Sequence, residues 1–284
     1  MTVGSLAYVV NDGLIRVATE DGLDVYQALF LRGCAMIFVF AVWAARRGSP
    51  PTRRDLSAPV LIRVGAEVVA TALFFAALVH LPFANAQTIL MLVPFAVTLV
   101  AAVMLGEPVG ARRYALVIVG FAGVVAVVRP TPSQFSPWTL VVVAAAAALV
   151  VRELATRRVA VGTTSLPIAM VTAIAITSMT GALSLLRGWG SVTPRAAGVV
   201  ALACACLVAG YVFAIRAVRV GDLSASAPFR YTSVVGAVVV GVAVFDEWPD
   251  ALTLVGCALI VGAGTVAARG DTPMGGRRSA SPAD

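Results

Sequence analysis

The sequence has 284 residues, of which 60% are hydrophobic and only 12% are charged, and its mean hydropathy is +0.95. In soluble domains about a quarter of the residues are charged, so this composition excludes a soluble protein and predicts a chain embedded in lipid. The formal net charge of +7 does not indicate a nucleic-acid partner. The basic residues lie in short segments between apolar runs, which is where the positive-inside rule places them in a membrane protein.

Ten apolar runs follow one another, each close to the length of about 20 residues that a membrane-spanning helix needs. The predicted spans are residues 3–19, 26–45, 58–79, 84–105, 112–129, 137–152, 165–186, 196–216, 223–245 and 251–268. Pro94 lies inside the fourth span and predicts a kink there. Residues 271–284 are polar and rich in Pro, Gly and Ser, so a disordered cytoplasmic tail is predicted.

The arginines predict the orientation of the spans. If the N-terminus is cytoplasmic, the cytoplasmic loops and tail hold most of them: Arg46, Arg47, Arg53, Arg54, Arg112, Arg113, Arg157, Arg158, Arg219, Arg269, Arg277 and Arg278. The opposite side collects two acidic clusters, at residues 20–24 and 246–250. Both termini are therefore predicted to be cytoplasmic. The absence of lysine and the abundance of Ala, Val and Gly are typical of a GC-rich bacterial genome, so the expected location is the bacterial cytoplasmic membrane.

A hydrophobic hairpin occurs twice in the chain, at residues 84–130 and again at residues 223–270. Each copy has a Pro-Phe pair in its first apolar run, then a turn with a glutamate, then a Gly-rich run. Two halves of five spans each enter the membrane in opposite directions, because five is an odd number. Inverted repeats are typical of secondary transporters, which bind substrate at the interface of the repeats. The predicted fold class is an all-α integral membrane protein of ten transmembrane helices in two inverted five-helix repeats.

Several short segments resemble the EamA family of the drug/metabolite transporter superfamily. They are Asn11-Asp12-Gly13, Phe30-Leu31-Arg32-Gly33, Leu105-Gly106-Glu107-Pro108, Gly120-Phe121-Ala122-Gly123, Ala227-Pro228-Phe229-Arg230-Tyr231-Thr232 and Asp246-Glu247. The resemblance implies one EamA repeat over residues 1–133 and a second, inverted repeat over residues 134–270. One departure is Asp246, because the family commonly has glycine at this position.

The same resemblance implies a permease that moves a small organic metabolite by alternating access. The Phe-Leu-Arg-Gly and Pro-Phe-Arg-Tyr segments look similar to the branch that includes riboflavin and S-adenosylmethionine importers, so riboflavin or another vitamin-like or nucleoside-like solute is one expected substrate. An exporter of amino acids or drug-like metabolites on the same fold is the alternative. A small-molecule substrate, the lipid bilayer and a proton as coupling ion are the expected partners, and the protein is expected to be a monomer or a homodimer.

Ionisable side chains inside a bilayer are costly and usually face a cavity or a partner. Tyr8, Asp12 and Arg16 recur every four residues and form one helical stripe. Asp12 is therefore expected to pair with Arg16 on its own helix or with Arg32 of the second span.

A second stripe in the third span contains Arg63 and Glu67. Glu67 is expected to pair with Arg63 or, across the two halves, with Arg230. Arg63 itself is expected to reach the cytoplasmic interface with its long side chain. Alternatively, such charges are static structural ion pairs and not parts of a substrate site.

An arginine in the central region could hold an anionic or carbonyl-bearing group, and an intramembrane carboxylate could bind a cation or accept a coupling proton. The candidate substrate-binding residues are Tyr8, Asn11, Asp12, Arg32, Glu67, Gln87, Phe95, Phe229, Arg230 and Tyr231. Asp12 and Glu67 are the candidates for the coupling ion.

A membrane-embedded enzyme is the competing class, and a scaffold that transports nothing also stays open. The sequence has a single histidine and no Gly-rich phosphate loop, so neither catalysis, a cofactor, a metal site nor an ATP-driven pump is expected. His80 is interpreted as a surface residue. Glu107 and Glu247 are interpreted as caps of turns, and Gly120, Gly123, Gly256, Gly262 and Gly264 as positions of close helix packing.

Overall fold

The computed structural model describes residues 2–47, 56–104, 106, 110–128, 136–159, 165–220 and 231–270. Every regular element in these residues is a helix. The helices are α1 (Thr2–Glu20), α2 (Val25–Arg47), α3 (Ala58–Leu78), α4 (Phe83–Leu90), α5 (Leu92–Met104), α6 (Ala111–Val128), α7 (Pro137–Arg157), α8 (Ser165–Arg187), α9 (Pro194–Val220), α10 (Thr232–Phe245) and α11 (Ala251–Gly270).

Seven helical segments in the described part of the chain are long and apolar enough to cross a bilayer, and two further apolar helices are shorter. The predicted all-helical membrane architecture is confirmed. The count of ten spans stays a prediction: α10 has 14 residues, and residues 221–230, which would begin the ninth span, lie outside the described residues. Glu107 and the tail at 271–284 also lie outside them.

The sixth span is longer than predicted. The apolar run ends at Arg152, but α7 continues to Arg157. Arg152 and Glu153 stay in the helix because both are paired, with Arg152 bound to Glu67 of α3. A proline in the first turn, Pro137, starts this helix, where a missing backbone N–H costs nothing.

Pro94 interrupts the fourth span as predicted. The segment Phe83–Met104 consists of α4, which ends at Leu90, and α5, which begins at Leu92. Proline has no N–H to offer the carbonyl four residues earlier, so the hydrogen-bond ladder breaks just before it. The backbone N–H of Met91 turns back to Thr88 O at 3.0 Å instead.

Helices from the two predicted halves pack against one another in pairs. The largest interfaces join α1 to α9, α2 to α8, α3 to α7 and α6 to α11. A continuous core of buried Val, Leu, Ile, Ala and Phe runs through these interfaces. A site built between such pairs receives side chains from both halves, although the boundary at residues 133 and 134 itself stays a prediction.

Close packing of α6 and α11 depends on two glycines. A Cβ atom on Gly256 would lie 2.6 Å from the carbonyl oxygen of Gly123, and one on Gly123 would lie 2.8 Å from the carbonyl oxygen of Gly256. Small residues let helix backbones approach in this way inside lipid. Gly262 was expected to do the same, but a Cβ atom added there would have no neighbour from another helix within 4 Å.

Asp246, where the family commonly has glycine, adopts the left-handed conformation, with φ 52° and ψ 29°. Glycine is favoured there because it lacks a Cβ atom, and aspartate is one of the few other residues that tolerate the conformation. The Nε1–H of Trp248 donates to the Asp246 carboxylate at 3.1 Å. The turn ends α10 and directs Glu247 back toward the bundle.

Candidate functional site

A cavity of about 530 Å³ lies between α1, α2, α3, α7, α8 and α9. It extends from the middle of the bundle toward the end that carries the N-terminus, here called the N-terminal end. The side chains and glycines that line it are Gly4, Ser5, Tyr8, Asn11, Asp12, Leu29, Arg32, Gly33, Met36, Phe40, Arg63, Glu67, Thr71, Phe75, Arg152, Ala169, Thr172, Ala173, Ile176, Thr177, Leu207 and Tyr211.

Half of the ten candidate substrate-binding residues line this one cavity: Tyr8, Asn11, Asp12, Arg32 and Glu67. Gln87 does not line the cavity, but its side-chain amide donates a hydrogen bond to Asp12, which does. Phe95 is buried elsewhere, with its ring 6.2 Å from that of Tyr231, and neither of these two lines the cavity. Phe229 and Arg230 lie outside the described residues.

Asp12 is held by two neutral amides. Asn11 Nδ2 donates to Asp12 Oδ1 at 2.9 Å, and Gln87 Nε2 donates to Asp12 Oδ2 at 2.8 Å. Arg32 Nη1 donates to Asn11 Oδ1 at 3.1 Å. The expected ion pair between Asp12 and Arg32 is therefore not direct, because the amide of Asn11 lies between the two charges.

The other expected partner of Asp12, Arg16, points to a different part of the protein. Arg16 Nη2 lies 2.6 Å from Glu247 Oε1, and its Nε lies 3.3 Å from Glu20. Its guanidinium also stacks over the Phe245 ring at 4.3 Å. Arg16 lies one helical turn after Asp12, and its side chain extends to the turn after α10 and not to Asp12. The predicted Asp12–Arg16 pair is therefore wrong.

Glu67 pairs with Arg152, a residue that the sequence did not single out. Arg152 Nη1 lies 3.0 Å from Glu67 Oε2, and Arg152 Nη2 lies 3.2 Å from Glu153. The expected Glu67–Arg63 pair is wrong, because α7 brings the guanidinium of Arg152 to Glu67, while Arg63 binds Thr172 of α8. The signal that could have indicated this pair is the charged dipeptide Arg152-Glu153, which ends the apolar run of the sixth predicted span.

Arg63 lines the cavity, and its predicted reach to the cytoplasmic interface stays a prediction. Its Nη1 donates to Thr172 Oγ1 of α8 at 3.1 Å. Thr172 can accept this bond because its own hydroxyl donates to Ile168 O, as threonine hydroxyls in helices commonly do. The cavity wall thus presents a cation that no described carboxylate neutralises.

Arg32 is the most buried charge of the cavity wall, with 8% of its surface exposed. Among the described residues its guanidinium makes one hydrogen bond, to Asn11, and no ion pair, and its buried Nε–H has no acceptor. The Phe75 ring lies 5.5 Å from it and offers a cation–π contact. A buried guanidinium whose Nε–H has no acceptor is costly, unless a ligand supplies one.

The opposite end of the bundle carries polar contacts between the predicted halves, here called the polar seam. Glu247 accepts from both Arg16 Nη2 and the backbone N–H of Phe83 at 2.6 Å. The amide of Gln27 exchanges two hydrogen bonds with the backbone of Gly190, at 2.9 and 3.1 Å. The remaining contacts are the ion pairs Asp24–Arg187 and Asp21–Arg195. The interpretation of Glu247 as a turn cap was too narrow, since its carboxylate joins three segments.

Four aromatic side chains share the cavity with these charges: Tyr8, Phe40, Phe75 and Tyr211. A charged wall beside aromatic faces is suited to a ligand with a polar end and a planar or apolar body. In the described part of the chain, no three His, Cys, Asp or Glu side chains are grouped as a metal site would require.

The apolar helices and the charged cavity between them define a multi-pass membrane protein with an internal polar site. Residues 1–129 match the EamA-like transporter family. The matched segment is a little under half of the chain, and the matched family is the one that the motifs resemble.

Proteins similar to this chain are transporters. The pseudopaline exporter CntI of Pseudomonas aeruginosa (strain UCBPP-PA14) is 28% identical over 268 residues, covering 91% of each chain. The S-adenosylmethionine uptake transporter of Rickettsia prowazekii (strain Madrid E) is 24% identical over 182 residues, covering 63% of this chain and 61% of that protein. One crystal structure, 24% identical, has the same fold, with a TM-score of 0.62 over 93% of this chain and 95% of that one.

Proposed function

We propose that the protein is a secondary transporter that moves a small organic metabolite across the bacterial cytoplasmic membrane by alternating access. The observation that carries the proposal is the 530 Å³ cavity, in which two carboxylates and three arginines face one another between lipid-embedded helices. Charges are expensive at this depth and are typical of a substrate pathway. The similarity to an exporter and to an importer supports a small-metabolite substrate, and either direction of transport is compatible with it.

The cavity and the polar seam together suggest which state of the transport cycle this is. The cavity reaches the N-terminal end, while the seam closes the opposite end. With both termini in the cytoplasm, as the arginine distribution predicts, the cavity would face the cytoplasm. Transport would then require the seam to open and the cavity to close at the N-terminal end, with the two halves moving relative to one another.

Asp12 is the stronger candidate for a coupling-ion site. Glu67 is already neutralised by Arg152, whereas Asp12 has only neutral hydrogen-bond donors. A carboxylate without a direct cationic partner can take up and release a proton without breaking an ion pair. Proton coupling through Asp12 is therefore part of the proposal.

The test is uptake into proteoliposomes that contain the purified protein. We expect time-dependent, saturable uptake of at least one labelled solute from a panel of amino acids, S-adenosylmethionine and riboflavin, and an effect of an imposed pH gradient on its rate. Liposomes without protein are the control. If no solute is taken up faster than in this control, the transporter proposal is contradicted. If the uptake rate does not change with the pH gradient, only the proposed proton coupling is contradicted.

A further inference from the structure

The unused donors of Arg32 form one side of a carboxylate-binding fork. Nη1 is engaged with Asn11, so the Nε–H and the Nη2 group, which point in parallel from the same edge of the guanidinium, have no acceptor among the described residues. This edge is the one that binds a carboxylate through two parallel hydrogen bonds. Because Arg32 lines the cavity, a ligand in the cavity is the available source of the missing carboxylate, once the side chain turns its buried Nε–H toward that ligand.

Asp12 presents the opposite charge beside this fork. Each of its oxygens accepts one hydrogen bond, from Asn11 and from Gln87. An ionised carboxylate has about four acceptor sites, so roughly half of its capacity is unused. The free capacity suits an ammonium group, which carries three donors and no acceptor.

Asn11 fixes the spacing between the two charges. Its Oδ1 receives the hydrogen bond from Arg32, and its Nδ2 donates to Asp12. A single side-chain amide therefore separates the guanidinium from the carboxylate and prevents them from closing into an ion pair. In an α-amino acid, one Cα atom likewise separates the ammonium from the carboxylate, so the two ends of such a ligand can meet both charges at once.

We infer that Arg32 and Asp12 form a subsite for the α-amino carboxylate end of the transported metabolite, Arg32 binding its carboxylate and Asp12 its ammonium. This inference rests on the proposed function only in that the bound metabolite is taken to be the one transported. The rest of the ligand lies along Tyr8, Phe75 and the wall toward the N-terminal end. The site thus selects a zwitterionic end group, while the wider cavity accepts a variable side chain.

The experiment is a ligand-discrimination measurement on the full-length protein in detergent. Binding of the standard amino acids and S-adenosylmethionine is measured by thermal stabilisation and calorimetry. The strongest binder is then compared with two relatives, its primary amide and its deaminated acid. With wild-type protein, each relative is expected to bind about 10- to 100-fold more weakly, because each loses one charged hydrogen-bonding end.

Two variants make the test specific to the two residues. Arg32→Gln is expected to bind the amino acid and its amide equally while still rejecting the deaminated acid. Asp12→Asn is expected to show the reverse pattern. Arg112→Gln changes an exposed arginine in the first turn of α6, away from the cavity. It controls for handling of the protein and should discriminate like wild type. A merely structural role of either residue would weaken all three ligands together.

Binding of none of the amino acids, equal binding of acid and amide by the wild type, or unchanged discrimination in Arg32→Gln would each overturn the subsite. The outcome is separable from that of the proposed function, because binding in detergent does not depend on transport. Uptake of riboflavin without any amino acid binding would contradict the subsite and leave the transporter. Amino acid binding without uptake of any solute would support the subsite and contradict the transporter proposal.

Discussion

Replacing Arg152 with glutamine is expected to lower the free energy of unfolding by about 3 kcal/mol. Removing one partner of a buried ion pair typically costs about 3–5 kcal/mol, because the other charge stays buried without compensation. Here Arg152 holds two carboxylates, Glu67 and Glu153, and the side chains of Arg152 and Glu67 are only 22% and 21% exposed. That partial exposure places the expected loss at the lower end of the range.

Unfolding by denaturing detergent, followed by circular dichroism, measures this loss. The matched control is Arg112→Gln, which removes an exposed arginine and should change stability by less than about 0.5 kcal/mol. The double variant Arg152→Gln with Glu67→Gln should recover much of the lost stability, since the buried charge is then gone. If Arg152→Gln unfolded like the control, the pair would not be a buried structural contact.

The second large effect concerns the polar seam. Among the described residues, Arg16→Gln leaves the carboxylate of Glu247 with one hydrogen-bond donor, the backbone N–H of Phe83. We expect the equilibrium to shift by about 2 kcal/mol, or roughly 30-fold, toward a conformation that is open at this end, because a hydrogen bond between charged groups contributes about that much.

Spin labels at Val79 and Trp248, both exposed near the seam, report the shift as a longer distance in double electron–electron resonance. Arg187→Gln is the matched comparison at the same end. Its pair with Asp24 is 3.6 Å long and its side chain is 56% exposed, so its loss should move the distance distribution little. Equal shifts for both variants, or none for Arg16→Gln, would show that the Arg16–Glu247 contact does not hold this end closed.

The sequence identified the charges of the cavity but not their partners. Asp12, Arg32 and Glu67 were predictable because an ionisable residue in an apolar run is rare and needs a reason. Their partners depend on how each helix is rotated and which helix of the other half packs against it. Arg16 and Glu247 are 231 positions apart, and no local pattern connects them. Arg152 was missed since it stands where the apolar run ends, a place that suggests a loop.

The helical architecture was predictable for a different reason. Lipid requires backbone hydrogen bonds to be satisfied within each span, so an apolar run of about 20 residues forms an α-helix. Pro94 and the turn at Asp246 follow from local backbone rules as well. Close packing is harder to predict. Gly256 packs closely against Gly123, while a Cβ atom added to Gly262 of the same helix would have no neighbour from another helix within 4 Å, although the sequence around them looks alike.

Filling the cavity is the most direct test of the claim that it is the transport site. Ala173 lines the cavity, whereas its neighbour Ile174 is 41% exposed on the outer face of α8. Uptake into proteoliposomes by Ala173→Trp and Ile174→Trp, reconstituted in equal amounts, compares the same added side chain at the two positions. The proposed site predicts that Ala173→Trp loses nearly all uptake and that Ile174→Trp keeps it. Equal uptake by both variants would contradict the assignment of this cavity as the path of the substrate.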